Sequence, residues 1–139
     1  MIQEEKDLLL KDLCARLPYG AKCNISRKNE ICIKSRTRDS ILDCHWLSEC
    51  KSDFYEIKPY LFPLSSMTEE QKIKCFEGTD IELDENSEIW SKISSDTYTT
   101  ITNMNNWLKV INWLLKNHFD IYGIIPKGLA IDCTNLNIY

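Results

Sequence analysis

The two histidines of the chain are the first residues to consider for chemistry, because an imidazole can accept a proton near neutral pH. His118 is followed closely by Asp120, and a carboxylate that orients an imidazole is typical of general base catalysis. A structural interpretation is also open, in which His118 caps the preceding helix and Asp120 ties down its ring. We favour the structural interpretation, and a small hydrolase built around His118 stays an alternative. His45 is expected in a strand.

Seven cysteines are scattered through the sequence, an odd number at irregular spacing. This pattern is typical of free thiols in a reducing compartment, which predicts a cytoplasmic protein. Zinc sites use close Cys pairs, and no Cys-x-x-Cys occurs; Cys44, His45 and Cys50 come nearest to such a cluster. The sequence therefore predicts no metal site, and nothing beside any cysteine marks a catalytic nucleophile.

Phosphate-binding loops need closely spaced glycines. The four glycines are far too dispersed for a Walker loop or a dinucleotide fingerprint: Gly20, Gly78, Gly123 and Gly128. Adjacent carboxylates such as Glu69 and Glu70 fall in polar stretches, where burial is not expected to shift a pKa. We therefore assign no catalytic residue and no cofactor.

The charge of the chain is uneven along its length. A net charge of −4 and a pI near 5.2 argue against a protein whose whole surface binds nucleic acid. One basic segment nevertheless stands out, and it contains Lys22, Arg27, Lys28, Lys34, Arg36 and Arg38. A solvated basic face is the favoured interpretation. The alternative is a nucleic-acid-associated module that uses this segment, which is predicted below to form a β-hairpin.

Two aromatic residues extend this basic segment into a candidate binding site. A ring such as Tyr19 or Trp46 beside Arg36 or Arg38 would suit stacking on a base or contact with a partner protein. The candidate binding residues are therefore Tyr19, Trp46 and the six basic residues of the hairpin.

The first half of the chain is predicted to be a helix followed by strands. Residues 3–17 repeat leucines at helical spacing, with charged residues on the opposite side, and Pro18 ends the helix. From residue 21 the period changes to two, which predicts strands over 21–26 and 31–34 with a turn at 27–30. A turn at 36–40, a strand at 41–47 and a strand at 53–57 complete this half.

The second half is predicted to be mainly helical. Residues 58–66 should run extended and then turn, because they contain two prolines. Thr68 and Gln71 have the spacing of a capping box, which predicts a helix to about Phe76. A strand is expected at 80–84 and a long amphipathic helix at 103–117. Residues 118–131 should form a loop with one helical turn before a closing strand.

These elements predict an α+β fold in one globular domain that covers residues 1–139. A short antiparallel β-meander, built mainly from residues 21–57, packs against the N-terminal helix and the long helix of the second half. Apolar runs are far shorter than the roughly 18 residues of a membrane span, so no membrane association is expected. The charged residues near the start are mainly acidic, whereas a secretory signal begins with basic residues, and this again indicates the cytoplasm.

Three stretches in the same order resemble a family of small uncharacterised proteins encoded by Bacteroidetes, their prophages and gut phages. They are RLPYG at 16–20, IKPYLFPLSSMT at 57–68 and NHFDIYGIIPKGLA at 117–130. The resemblance implies a phage or prophage origin and carries over no catalytic residue. Our leading hypothesis is a small non-enzymatic accessory protein that binds a host protein or a nucleotide ligand, with inhibition of host defence as one outcome.

Overall fold

The computed structural model describes residues 1–28, 38–52, 54–79 and 101–139, with the side chains of 101–104 left out of the description. The strands expected at 31–34 and 80–84 lie outside these ranges, as do Lys34 and Arg36. The described residues form an α+β fold, as the sequence predicts.

A four-stranded mixed sheet organises the described residues. Its strands are β1 (Lys22–Arg27), β2 (Arg38–Ile41), β3 (Tyr55–Leu61) and β4 (Ile131–Asp132), and their order across the sheet is β2-β1-β3-β4. Strand β1 pairs antiparallel with β2 and β3, and β3 pairs in parallel with the short β4. The antiparallel arrangement that the sequence predicts is therefore found in β1, β2 and β3.

Side-chain alternation along β1 gives the sheet two different faces. Cys23 and Ile25 are buried, and they point to the inner face. Lys22 and Asn24 point to the opposite side, which we call the outer face. The register places Asp39 opposite Asn24 and Ile41 opposite Lys22, so all four share the outer face.

Strand β3 continues through a proline, whereas the predicted strand ended before it. The amide N–H of Lys28 donates to the carbonyl of Phe54 at 2.7 Å, which fixes the alternation of hydrogen-bonded pairs between β1 and β3. Pro59 lies opposite Cys23, at a position where that alternation directs its nitrogen away from β1. Its missing N–H therefore costs the β1–β3 ladder no hydrogen bond.

The described helices are α1 (Gln3–Arg16), α2 (Cys44–Glu49), α3 (Glu69–Phe76) and α4 (Ile101–Lys116), with 3₁₀ turns at Leu17–Tyr19 and Leu64–Ser66. The predictions for α1, α3 and α4 are confirmed within one to three residues. The predicted capping box is also confirmed, since Thr68 and Gln71 exchange side-chain-to-backbone hydrogen bonds.

Helix α2 replaces a strand that we expected at residues 41–47, and that expectation is wrong. The carboxylate of Asp43 accepts from the N–H of Trp46 at 3.0 Å, which caps the helix. Leu42, which precedes the capping residue, and Trp46 on the helix are both buried in the core. His45 is consequently on an exposed helix surface, and residues 38–40, expected in a turn, belong to β2.

Two apolar clusters stabilise the fold. The first joins the inner face of the sheet to α1 and α2, with Leu13, Ile25 and Trp46 among its members. The second joins α3 and α4 and contains Phe76 and Leu114. Helix α1 contributes to both, so it connects the sheet to the long helix.

A buried ion pair lies among the leucines on the inward face of α1. Asp12 and Arg16 are both fully buried. The Arg16 guanidinium donates to both carboxylate oxygens of Asp12 at 2.8 Å and to the carbonyl of Phe119 at 2.7 Å. Burial raises the pKa of Asp12, and the paired guanidinium opposes that rise.

Arg16→Met should lower the free energy of unfolding by about 3 to 5 kcal/mol, because it leaves the Asp12 carboxylate buried without its cation. Urea unfolding followed by tryptophan fluorescence at pH 7 measures this loss. The control is Lys72→Met, which removes a partner of Glu69, a residue whose side chain is 85% exposed, and should cost less than about 1 kcal/mol. Equal losses in the two variants would contradict the prediction.

Candidate functional site

The basic hairpin predicted from sequence does not form one continuous surface in the described residues. Lys22 points to the outer face of the sheet, whereas Arg38 lies opposite Ile25 and points to the inner face. Arg27 is exposed at the end of β1, and Lys28 follows it. Lys22 and Arg38 therefore cannot bind the same ligand on one face of the sheet.

The two predicted aromatic contacts belong to the core. Trp46 is only 4% exposed, and the Arg38 guanidinium lies 4.5 Å from its ring centroid. Tyr55 packs against the same ring edge-on at 5.7 Å. Tyr19 packs against the second apolar cluster. Arg38 and Trp46 are in contact, but the protein itself covers the indole.

A cleft of about 340 Å³ lies on the outer face, and we call it the outer-face cleft. It combines one cation, one carboxylate, hydroxyl and amide groups, and two isoleucines. Its lining residues come from β1, β2, β3 and the segment after β4: Lys22, Asp39, Ser40, Ile41, Tyr60, Asn137 and Ile138.

Two side-chain hydrogen bonds fix the carboxylate of Asp39 in this cleft. Its Oδ1 accepts from the Tyr60 hydroxyl at 2.7 Å and from the Asn24 amide at 3.1 Å. Burial and the hydrogen bond to Asp39 both raise the pKa of Tyr60, so this hydroxyl stays protonated and keeps donating. The carboxylate is thus fixed in place as an acceptor.

Lys22 supplies the positive charge of the cleft. Its Nζ donates to the carbonyl of Ile138 at 2.5 Å and lies 5.7 Å from the centroid of the Tyr139 ring. A lysine ammonium has three donors, so one carbonyl does not saturate it. Lys22 forms no ion pair with Asp39 or with any other carboxylate of the described ranges.

Tyr139 closes the sheet beside the cleft. Its hydroxyl accepts from the N–H of Lys22 at 2.9 Å and donates to the carbonyl of Tyr60 at 3.1 Å. Lys22 and Tyr60 would form the next hydrogen-bonded pair of the β1–β3 ladder, so the hydroxyl occupies the place where the strands separate. Burial raises the pKa of Tyr139 to about 12, which keeps this hydroxyl protonated.

His118 lies beneath the Tyr139 ring. The two rings stack with centroids 3.8 Å apart. His118 has a φ of 64°, and the N–H groups of His118 and Phe119 donate to the carbonyls of Leu115 and Leu114, which is the hydrogen-bond pattern of a Schellman motif. It therefore ends α4, as the structural interpretation expected.

The carboxylate of Asp120 forms no hydrogen bond with His118 in the described residues, so the part of the structural interpretation in which Asp120 ties down the imidazole is wrong. The carboxylate of Asp120 accepts instead from the N–H groups of Ile124 and Ile125, at 3.0 and 2.9 Å. The Nδ1 atom of His118 is buried and has no hydrogen-bond partner among the described residues. Burial, and then the charges of Arg16 and Lys22, lower the pKa of His118 to about 4.

Several thiols of the described residues are held in their unreactive form. Six of the seven cysteines fall in the described residues, and all six are free. Cys50 lines a second cleft, of about 330 Å³, with residues from α1. Burial raises its pKa and raises that of Cys23 to about 12, which favours the unreactive thiol form. The described ranges contain no group of three metal-binding side chains.

Comparison of the chain with protein-family models, curated proteins and solved structures gives no match. In the part of the chain that the structure describes, no helix has the length and apolar character needed to span a bilayer. The outer-face cleft is therefore argued from its own geometry.

Most of the outer-face cleft was missed by sequence reasoning. Lys22 was singled out, but Asp39, Tyr60 and Asn137 were not. The alternation in β1 could have placed Lys22 and Asn24 on one face. No sequence signal indicated that residues 137–139 return to this strand.

Tyr139→Phe should lower the free energy of unfolding by about 1 to 2 kcal/mol, because it leaves the Lys22 N–H and the Tyr60 carbonyl without their shared partner. Urea unfolding measures the change. Tyr122→Phe is the matched control, since its hydroxyl makes no hydrogen bond with the described residues, and it should cost less than about 0.5 kcal/mol. A loss no larger in Tyr139→Phe would contradict the bridging role.

Acid should destabilise the protein through His118. Because its pKa is about 4 in the folded state and about 6.5 when unfolded, the unfolded state binds more protons between these values. Stability should therefore fall as pH drops below about 6.5, and His118 alone should account for about 2 kcal/mol between pH 7 and pH 5.

His118→Asn tests this prediction, since asparagine tolerates a positive φ and does not titrate. Urea unfolding at pH 7 and pH 5 should show a smaller acid-induced loss in this variant than in the wild type. His45→Gln removes the exposed histidine and should behave like the wild type. An unchanged pH dependence in His118→Asn would overturn the argument.

Proposed function

We propose that the protein is a small non-enzymatic accessory protein of phage or prophage type, which acts in the host cytoplasm by binding a nucleotide ligand in the outer-face cleft. The observation that carries this proposal is the cleft itself. A fixed acceptor, Asp39, and an unsaturated cation, Lys22, line one concavity of about 340 Å³. This volume is at the lower end of the range of about 300 to 1,000 Å³ that small-molecule sites occupy.

Preorganisation of the polar groups supports a binding role. Asp39 is held by Tyr60 and Asn24, and the backbone beside Lys22 is held by Tyr139. Groups that are already fixed lose little conformational entropy when a ligand arrives.

The alternatives predicted from sequence receive less support from the geometry. A hydrolase around His118 needs a base oriented by Asp120, and that contact is absent in the described residues. The ring is also covered on one side by Tyr139. A nucleic-acid module needs its cations on one face, whereas Lys22 and Arg38 lie on opposite faces of the sheet.

A protein without catalytic activity acts on its host by binding a small molecule or a host protein and so withholding it from other proteins. Sequestration of a nucleotide is one way in which such a protein would inhibit a host defence that depends on that nucleotide. Binding of a host protein is the other form of this function, and the same experiment separates the two.

The experiment compares the wild-type protein with Ile41→Trp, purified by the same tag from a Bacteroidetes host lysate. Ile41 is 58% exposed and lines the cleft, so an indole should fill the cleft without disturbing the core. Ile73→Trp is the control, because Ile73 is 66% exposed on α3 and does not line the cleft. Mass spectrometry identifies the extracted small molecules and the bound proteins.

We expect a small molecule in the wild type and in Ile73→Trp, reduced at least tenfold in Ile41→Trp. A ligand equally abundant in all three preparations would not be bound in the cleft and would overturn the proposed site. A host protein that is captured instead, and lost with Ile41→Trp, would replace the nucleotide by a protein partner.

A further inference from the structure

Two opposite charges share the outer-face cleft without neutralising each other. Lys22 lies opposite Ile41 and Asp39 lies opposite Asn24, so the two charged residues are diagonal neighbours across β1 and β2. Diagonal neighbours on adjacent strands are roughly 7 to 8 Å apart, which side chains of this length could span. Each group is held elsewhere instead, which leaves a positive and a negative position separated in space.

The negative position is specific for a hydrogen-bond donor. Both donors that hold Asp39, from Tyr60 and Asn24, reach Oδ1, and Oδ2 accepts no hydrogen bond from the described residues. An ionised carboxylate is an acceptor only. A ligand group at this position must therefore carry an N–H or O–H, and a carbonyl oxygen there would be repelled.

The positive position suits an anion. Lys22 uses one donor on the Ile138 carbonyl and forms no ion pair with a described carboxylate. A phosphate carries a charge of roughly −1.5 to −2 near pH 7 and three acceptor oxygens, so it can use the remaining donors of one ammonium. Asn137 adds an exposed amide to the lining of the cleft.

An apolar wall completes the cleft. Ile41 and Ile138 line it together with the charged groups, and Ile41 is more than half exposed. A flat heterocycle can cover such a wall, which a small amino acid or free phosphate would leave in water. A ligand with an anionic end, an amino group and a flat apolar body between them would match all three features of the lining.

We propose that the outer-face cleft binds a nucleoside monophosphate whose base carries an exocyclic amino group, with the phosphate at Lys22 and the amino group at Asp39. This assignment rests on the proposed function and specifies the class of nucleotide and its orientation. A base with a carbonyl oxygen in place of the amino group binds more weakly, because that oxygen would face the Asp39 carboxylate.

Isothermal titration calorimetry of the wild-type protein with matched nucleotides tests the assignment. AMP and CMP carry an amino group where IMP and UMP carry a carbonyl oxygen, and the adjacent ring nitrogen changes from an acceptor to an N–H, so the two pairs compare opposite hydrogen-bonding edges at Asp39. Adenosine lacks the phosphate, so its comparison with AMP isolates the contact with Lys22. We expect AMP to bind about tenfold or more tightly than IMP and than adenosine, the range of a hydrogen bond to a charged group.

Two variants locate these preferences. Lys22→Gln should bring the affinity for AMP down to that for adenosine and leave adenosine unchanged. Asp39→Asn should remove or reverse the preference for AMP over IMP, because its amide can donate to a carbonyl oxygen. Lys127→Gln, at an exposed position that does not line the cleft, is the control and should bind like the wild type.

The nucleotide series with the wild-type protein decides the matter even if a variant does not fold. Equal affinity for AMP, IMP and adenosine, or no saturable binding of AMP or CMP at millimolar concentration, would overturn the assignment. A different small molecule extracted from the wild type and lost in Ile41→Trp would leave the cleft as a binding site and refute only the nucleotide class. Failure of both experiments would refute the proposed function as well.

Discussion

The fold depends on the buried ion pair of Asp12 and Arg16. Taking two charges out of water costs several kcal/mol each, so the pair is stable only because the guanidinium donates to both carboxylate oxygens and to the carbonyl of Phe119. That last hydrogen bond joins α1 to the segment after α4, across 103 residues of sequence. The ion pair therefore fixes the position of the sheet and the first apolar cluster relative to the helices of the second apolar cluster.

The same contacts lead from the ion pair to the outer-face cleft. Phe119 follows His118, whose ring stacks on Tyr139, and the Tyr139 hydroxyl bridges Lys22 and Tyr60. Burial, and then the positive charge of Arg16, lower the pKa of His118, so the imidazole beneath Tyr139 stays neutral at physiological pH. A neutral ring can be buried there without a counter-ion. The position of Tyr139 beside the cleft therefore depends on its contact with His118.

The sequence was sufficient to predict the helices and strands that a local pattern determines. It was insufficient where contacts between residues distant in sequence determine the structure. Period and capping identified α1, α3, α4 and the inward face of β1, because these signals lie within a few residues. Residues 41–47 were assigned to a strand, because the Asp43 cap at the start of α2 was overlooked. Charged residues on α1 were assigned to solvent, since nothing local shows that Phe119 supplies the third acceptor for Arg16.

The outer-face cleft was hidden for the same reason, and this bears on how function arises here. Lys22, Asp39, Tyr60 and Asn137 form no motif, since they come from four separate segments. The raised pKa values of Tyr60 and Tyr139 keep both hydroxyls protonated, so the direction of donation at each is fixed. With those directions fixed, the cleft presents a donor at Lys22 and an acceptor at Asp39 before any ligand arrives. Such preorganisation favours selective binding, and it needs no group that changes protonation state at neutral pH.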